Sequence, residues 1–141
     1  RQTVLTFGGL GTNWGLATAL YARDLGLKTA LATSTDQERA LWRMDRLDWR
    51  GYFDGFAFGD DVEKGKPAPD IFLLAAKRIG VAPHRCIVLE DSPAGVRSGL
   101  AAGARVVVVG PMDHFDDRAP RIPDFRGITP ARVVELANTS P

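Results

Sequence analysis

Short apolar runs alternate along the chain with stretches whose apolar residues recur every three or four positions, the pattern of a parallel sheet fed by helices. The runs Thr3 to Phe7, Lys28 to Thr33, Gly55 to Phe58, Cys86 to Leu89 and Arg105 to Val109 read as strands. Between them, Leu16, Ala19 and Leu20 form one helical stripe, Ala40, Leu41, Met44 and Leu47 a second, and Ile71, Leu74 and Ala75 a third. Thr35 and Glu38 have capping-box spacing, Ser92-Pro93 and Thr129-Pro130 each place a cap before a first-turn proline, and a helix is expected to start at Pro69. Gly26, Gly80 and Gly103 stand where helices should stop. The predicted class is α/β: a doubly wound, Rossmann-like parallel sheet between two layers of helices. Residues 110–127, with several prolines and four aspartates, read as an irregular surface segment.

Composition narrows the picture without choosing a function. The chain has 141 residues, 45% hydrophobic and 25% charged, which fits one domain spanning residues 1–141 with a sizeable core. Its 18 basic and 17 acidic residues are scattered and leave a net charge of +1, so neither a nucleic acid nor a membrane surface is an expected partner. The single cysteine, Cys86, cannot form an internal disulfide, and no secretory or membrane-spanning stretch is evident. A cytoplasmic monomer or homodimer is expected.

In open α/β sheets, ligands bind beyond the carboxyl ends of the strands, so the residues just after each strand are the candidates for chemistry. Thr33-Ser34-Thr35 follows the second strand at a helix start, where hydroxyls and free N–H groups can hold a phosphate; plain capping by Thr35 is the alternative. Lys66, stiffened by Pro67 and Pro69, suits neutralisation of a phosphate, although a lone lysine is usually just solvated. Glu90 and Asp91 end the fourth strand. Adjacent strand residues point to opposite faces, so the two carboxylates converge only if the turn at Ser92 re-aims Asp91. Such a pair is a hard-oxygen site suited to Mg²⁺, and it can equally serve only to complement a helix terminus.

The stretches LATST, KGKPAPDIF and CIVLEDSPAGVRSGLAAGA together resemble the second, third and fourth motifs of haloacid dehalogenase-type hydrolases, most closely the branch of β-phosphoglucomutase and phosphoglycolate-phosphatase-like enzymes. The resemblance covers Gly15 to Val109. It implies phosphoryl transfer on a small phosphorylated metabolite, with Thr33 and the Ser34 backbone on the transferring group, Lys66 neutralising it, and Glu90 and Asp91 holding Mg²⁺. The first motif departs from the family, whose opening strand ends in Asp-x-Asp-Gly-Thr. Here Gly8-Gly9-Leu10-Gly11-Thr12 stands instead, so Gly8 and Leu10 occupy the positions of the nucleophile and the general acid/base. About twenty residues separate Thr12 from Thr33, too few for the family's helical cap, so no cap domain is expected. Two explanations remain open at this point: a capless, degenerate relative, or a piece or altered form whose first motif lies elsewhere.

Two other classes compete. Gly9, Gly11 and Gly15 approximate a dinucleotide-binding fingerprint, but the third glycine is one place late and Asp36 is the nearest acid for a ribose. A non-catalytic phosphate-binding relative would keep the same sheet. His84 and His114 have no partner at ligand spacing, and Trp14, Trp42, Trp49, Tyr52 and Phe53 read as core or as apolar surface.

Overall fold

The computed structural model describes residues 3–6, 19–20, 22–110 and 118–139. Gly8, Leu10, Trp14, Leu16 and His114 lie outside the described residues. Six strands, β1 (Thr3–Thr6), β2 (Thr29–Ala32), β3 (Gly55–Ala57), β4 (Cys86–Glu90), β5 (Arg105–Val109) and β6 (Arg121–Ile122), form one sheet in the order β3-β2-β1-β4-β5-β6. Every neighbouring pair is parallel.

β2, β4 and β5 are buried on both faces, as their near-continuous apolar runs require. Along β4 and β5, Cys86, Val88, Val106 and Val108 join one core, while Ile87, Leu89, Val107 and Val109 join the other. The first core also takes up α1 (Gln37–Arg46), α2 (Asp70–Arg78) and α3 (Pro93–Ala101); the second takes up α4 (Pro130–Asn138) and Ala22. This is the doubly wound, three-layer arrangement expected from the sequence. Cys86 is buried and unpaired, and burial pushes its thiol up to about 11, so it packs as a protonated side chain. Among the described residues, no helix is long and apolar enough to cross a membrane.

Several details differ from the sequence reading. The cap of α1 is Asp36, which accepts from the Arg39 amide at 2.9 Å; Thr35 does not cap this helix. Asp is as good an N-cap as Thr, and spacing alone could not choose between neighbours. α2 begins at Asp70, with Pro69 as its cap. Leu20 and Leu47 are exposed, so two of the expected stripes are narrower than drawn, whereas α2 buries Phe72 and Ala76 beside Ile71 and Ala75. The segment 110–127 is not irregular throughout, because Arg121 and Ile122 pair with Val108 and Val109 as the short edge strand β6. Trp49 and Phe53 are core residues, while Trp42 is 60% exposed beneath the Arg46 guanidinium. Gly26, Gly80 and Gly103 do adopt positive φ at helix ends, as expected.

The order of strands positions the site. From β1 the chain winds outward through β2 and β3, then crosses back to β4 on the other side of β1. The carboxyl ends of β1 and β4 therefore flank a topological switch point, where a crevice opens beyond the sheet. Thr6 lies opposite both Leu31 and Leu89, so β1, β2 and β4 run in close register toward that crevice.

Candidate active site

A cavity of about 250 Å³ opens at this crevice, lined by Thr33, Ser34, Thr35, Lys66, Glu90, Asp91 and Ser92. All five residues nominated for binding from the sequence thus meet in one place. They come from the loops that follow β2 and β3 and from the end of β4 with the turn after it. A larger hollow of about 410 Å³ runs along α1 beside Trp42, but apart from Thr35 its polar lining is exposed side chains of one helix rather than groups converging from several loops.

Lys66 holds the centre. Its ammonium donates to Glu90 Oε1 at 2.5 Å and reaches the Ala32 carbonyl at 3.5 Å. Ala32 ends β2 and Glu90 ends β4, and β1 lies between those strands, so the positive charge sits over the carboxyl end of the central strand. The Phe72 ring backs the ammonium at 4.7 Å. With 7% of its side chain exposed, Lys66 is not a solvated surface lysine. Burial pushes its pKa below the ordinary value, while the charges of Glu90 and then Asp91 pull the other way.

The acidic pair divides its work. Glu90, still in the strand and wholly buried, has both oxygens engaged: Oε1 by Lys66, and Oε2 by the Asp91 amide, the Ser92 amide and the Ser92 hydroxyl at 2.9–3.1 Å. Ser92 Oγ in turn accepts from the Gly95 amide and caps α3. Asp91 is turned out of the strand and lines the cavity, partly exposed, with no hydrogen-bond acceptor role toward any other described residue. The turn at Ser92 therefore re-aims Asp91, as convergence required.

Space for the Glu90 carboxylate exists only because residue 95 is glycine. A β-carbon there would stand 2.0–2.2 Å from the carboxylate atoms of Glu90. Because four donors hold that group, it cannot swing aside. Gly95→Ala is expected to cost about 2–3 kcal/mol, the scale of overpacking, and to weaken phosphate binding by displacing the partner of Lys66. Thermal unfolding and calorimetry on the same sample would check both effects.

After β2, the Thr33 amide is spent on the Ala57 carbonyl at 3.0 Å, and the Thr35 amide donates to Thr33 Oγ1 at 3.1 Å. Two of the first amides of α1 are also occupied, Gln37 N–H by Asp60 and Arg39 N–H by Asp36. Neither of these is available to an anion. What faces the cavity is the loop before α1: the Thr33 hydroxyl, with its hydrogen free, and the exposed Ser34. Hydroxyl donors beside a buried ammonium, facing a carboxylate across a small crevice, can hold a tetrahedral oxyanion bridged to a hard cation.

A family model for haloacid dehalogenase-like hydrolases matches residues 10–103. The chain belongs to this family. Over 95 residues it is 46% identical to the phosphorylated carbohydrates phosphatase of Thermotoga maritima, covering 67% of this chain and 44% of that protein. The crystal structure of CbbY from Rhodobacter sphaeroides in complex with phosphate matches with a TM-score of 0.68 at 32% identity, over 78% of this chain and 52% of that one. The β-phosphoglucomutase of Clostridium difficile shares the fold, with a TM-score of 0.78 at 24% identity over 87% and 54% of the two chains. This haloacid dehalogenase-like chain spans less than half the length of the first curated relatives it matches.

Proposed function

We propose that this chain carries the phosphate- and Mg²⁺-binding part of a phosphoryl-transfer site for a small phosphorylated metabolite, and that as written it binds phosphate without turning it over. The observation that carries the reading is the Lys66 ammonium bridging the ends of β2 and β4 across the central strand. A buried cation at a sheet's switch point is where charge compensation for a transferring phosphoryl group is needed. Thr33 and Ser34 supply neutral donors from one side, and relatives of this chain include a phosphatase of phosphorylated carbohydrates and a CbbY structure in complex with phosphate.

The donor set fits Mg²⁺. It is all oxygen, with the Asp91 carboxylate open to the cavity, and it lacks the sulfur and imidazole ligands that other metals prefer. Asp91 would hold the ion. Glu90, engaged on both oxygens, would hold Lys66 and the Asp91 turn in place. When bound, Mg²⁺ would neutralise charge on the phosphoryl oxygens. Turnover is expected to fail because Gly8 and Leu10 stand where relatives carry the two catalytic aspartates. The dinucleotide alternative loses its acid, since Asp36 is committed to capping α1.

Calorimetric titration tests this. Inorganic phosphate should bind more tightly with Mg²⁺ present, and Mg²⁺ more tightly with phosphate, because each supplies ligands to the other. Asp91→Asn should abolish that mutual enhancement; an Asp91→Asn chain that binds Mg²⁺ as the unaltered chain does would remove Asp91 from the site.

A further inference from the structure

The loop that would cradle phosphate is held from behind by a segment that does not line the cavity. β3 ends at Ala57, and a single 3-10 turn, Gly59–Asp61, follows it. This segment grips the Thr33–Gln37 stretch at three points: Thr33 N–H donates to the Ala57 carbonyl at 3.0 Å, Gly59 N–H to the Thr35 carbonyl at 2.9 Å, and Gln37 N–H to Asp60 Oδ1 at 3.0 Å. The two backbones meet so closely that a β-carbon on Gly59 would lie 2.1 Å from the Ser34 carbonyl oxygen. The turn is itself locked. Asp61 Oδ2 accepts from the Phe58 amide at 2.8 Å and from Arg78 at 2.6 Å, and the same Arg78 nitrogen donates to the Phe56 carbonyl at 2.7 Å.

We propose that the Asp61–Arg78 pair is a positioning device for the anion-binding loop, setting where the Thr33 hydroxyl and Ser34 stand relative to Lys66. The inference rests on the phosphate-binding reading above. α2 makes the coupling direct: the Lys66–Pro69 segment leads into its first turn and Arg78 closes its last, so one helix ties the cation to the brace of the opposing donors. The Arg78 hydrogen bond holds the Asp61 carboxyl below its ordinary value of 3.8, and whatever this contributes to stability is complete above that value and lost as pH falls through the lowered one. The brace is therefore charged at neutral pH.

The test measures inorganic phosphate binding, with Mg²⁺ present, to the unaltered chain and to Asp61→Asn, Arg78→Met, their double variant, and Lys66→Ala as control. Each single brace variant should bind phosphate about tenfold more weakly, the scale of lost outer-contact support. The double variant should lose little more than either single one, because both break one unit. Arg78→Lys, which restores the charge, should recover part of the affinity. Backbone amide signals of Thr33, Ser34 and Gln37 should shift in the brace variants without ligand, while that of Ser92 stays in place; a general loss of stability would not produce that pattern. If Lys66→Ala weakens binding but folded brace variants bind normally, the brace is wrong and the site stands. Unmoved Thr33–Gln37 signals in both brace variants would also overturn it. If neither the control nor the brace variants differ from the unaltered chain, or that chain binds no phosphate, the site reading falls and the brace with it.

Discussion

Gly8→Asp combined with Leu10→Asp is expected to give Mg²⁺-dependent phosphomonoesterase activity, where the unaltered chain is expected to have essentially none. The physical case rests on what the described residues already provide. A buried ammonium, hydroxyl donors and an open carboxylate converge beyond the carboxyl end of β1, whose last described residue, Thr6, is two positions before Gly8. Such a site can compensate the charge of a transferring phosphoryl group, but transfer to the protein needs a carboxylate to attack and an acid to protonate the leaving oxygen. General acid–base assistance alone is worth about 10²–10⁴ in rate, so the double variant should exceed the unaltered chain by at least about a hundredfold. Gly8→Asp alone should form a phosphoenzyme, stable in acid and cleaved by hydroxylamine, from an acyl or aryl phosphate, whose leaving group departs without protonation. A folded double variant that binds phosphate and Mg²⁺ but forms no such adduct would show that this stretch is not the family's first motif. Robust hydrolysis by the unaltered, mass-verified chain would point to a different nucleophile.

The second large effect is expected from Lys66→Met. The substitution keeps the apolar stem against Phe72 and deletes the charge that pairs with Glu90. Breaking a buried ion pair from one side costs about 3–5 kcal/mol, because the remaining charge stays out of water. Here the cost should fall at the low end, about 3 kcal/mol, since Oε2 of Glu90 keeps its three donors from Asp91 and Ser92. A domain stabilised by about 5–15 kcal/mol survives that loss with a lowered midpoint. Phosphate affinity should drop by roughly ten- to a hundredfold, the worth of a hydrogen bond to a charged group. Thr33→Val should cost less, because it removes one neutral hydroxyl and leaves the ammonium in place. Denaturant unfolding and calorimetry separate the two consequences. Lys66→Met with unchanged stability and unchanged phosphate binding would leave the lysine without a role.

The lysine also shows where sequence reasoning reaches its limit. The apolar runs that precede them bring Thr33 and the Glu90–Asp91 pair to one end of the sheet, whereas Lys66, nine residues beyond β3, joins them in the sequence only through the family resemblance. The partition of the acids was not legible. Glu90 and Asp91 are adjacent and chemically alike, and only the burial of the strand end decides that one carboxylate becomes the buried partner of a lysine 24 positions away while the other faces the cavity. The same holds for the α1 cap, where Thr35 and Asp36 both qualify locally and the choice depends on the Thr35 carbonyl being claimed by Gly59. β6 was missed because two residues carry no periodicity; their pairing with Val108 and Val109 is a tertiary fact. Gly59 and Gly95 were passed over for a related reason. A glycine required by close approach of another segment looks, in sequence, like any other glycine.

The central claim is that a phosphate seats between the Thr33–Thr35 loop and the Asp91–Ser92 turn, under Lys66. Titrating the isotopically labelled chain with inorganic phosphate at constant Mg²⁺, and following its backbone amide signals, tests this most directly. The largest changes should cluster at Ser34, Thr35, Asp91 and Ser92, saturate together with one affinity, and weaken in parallel in Lys66→Ala. Saturable changes centred elsewhere, for example along Arg39, Trp42 and Arg43 on α1, or none at these four residues at millimolar phosphate, would contradict the account.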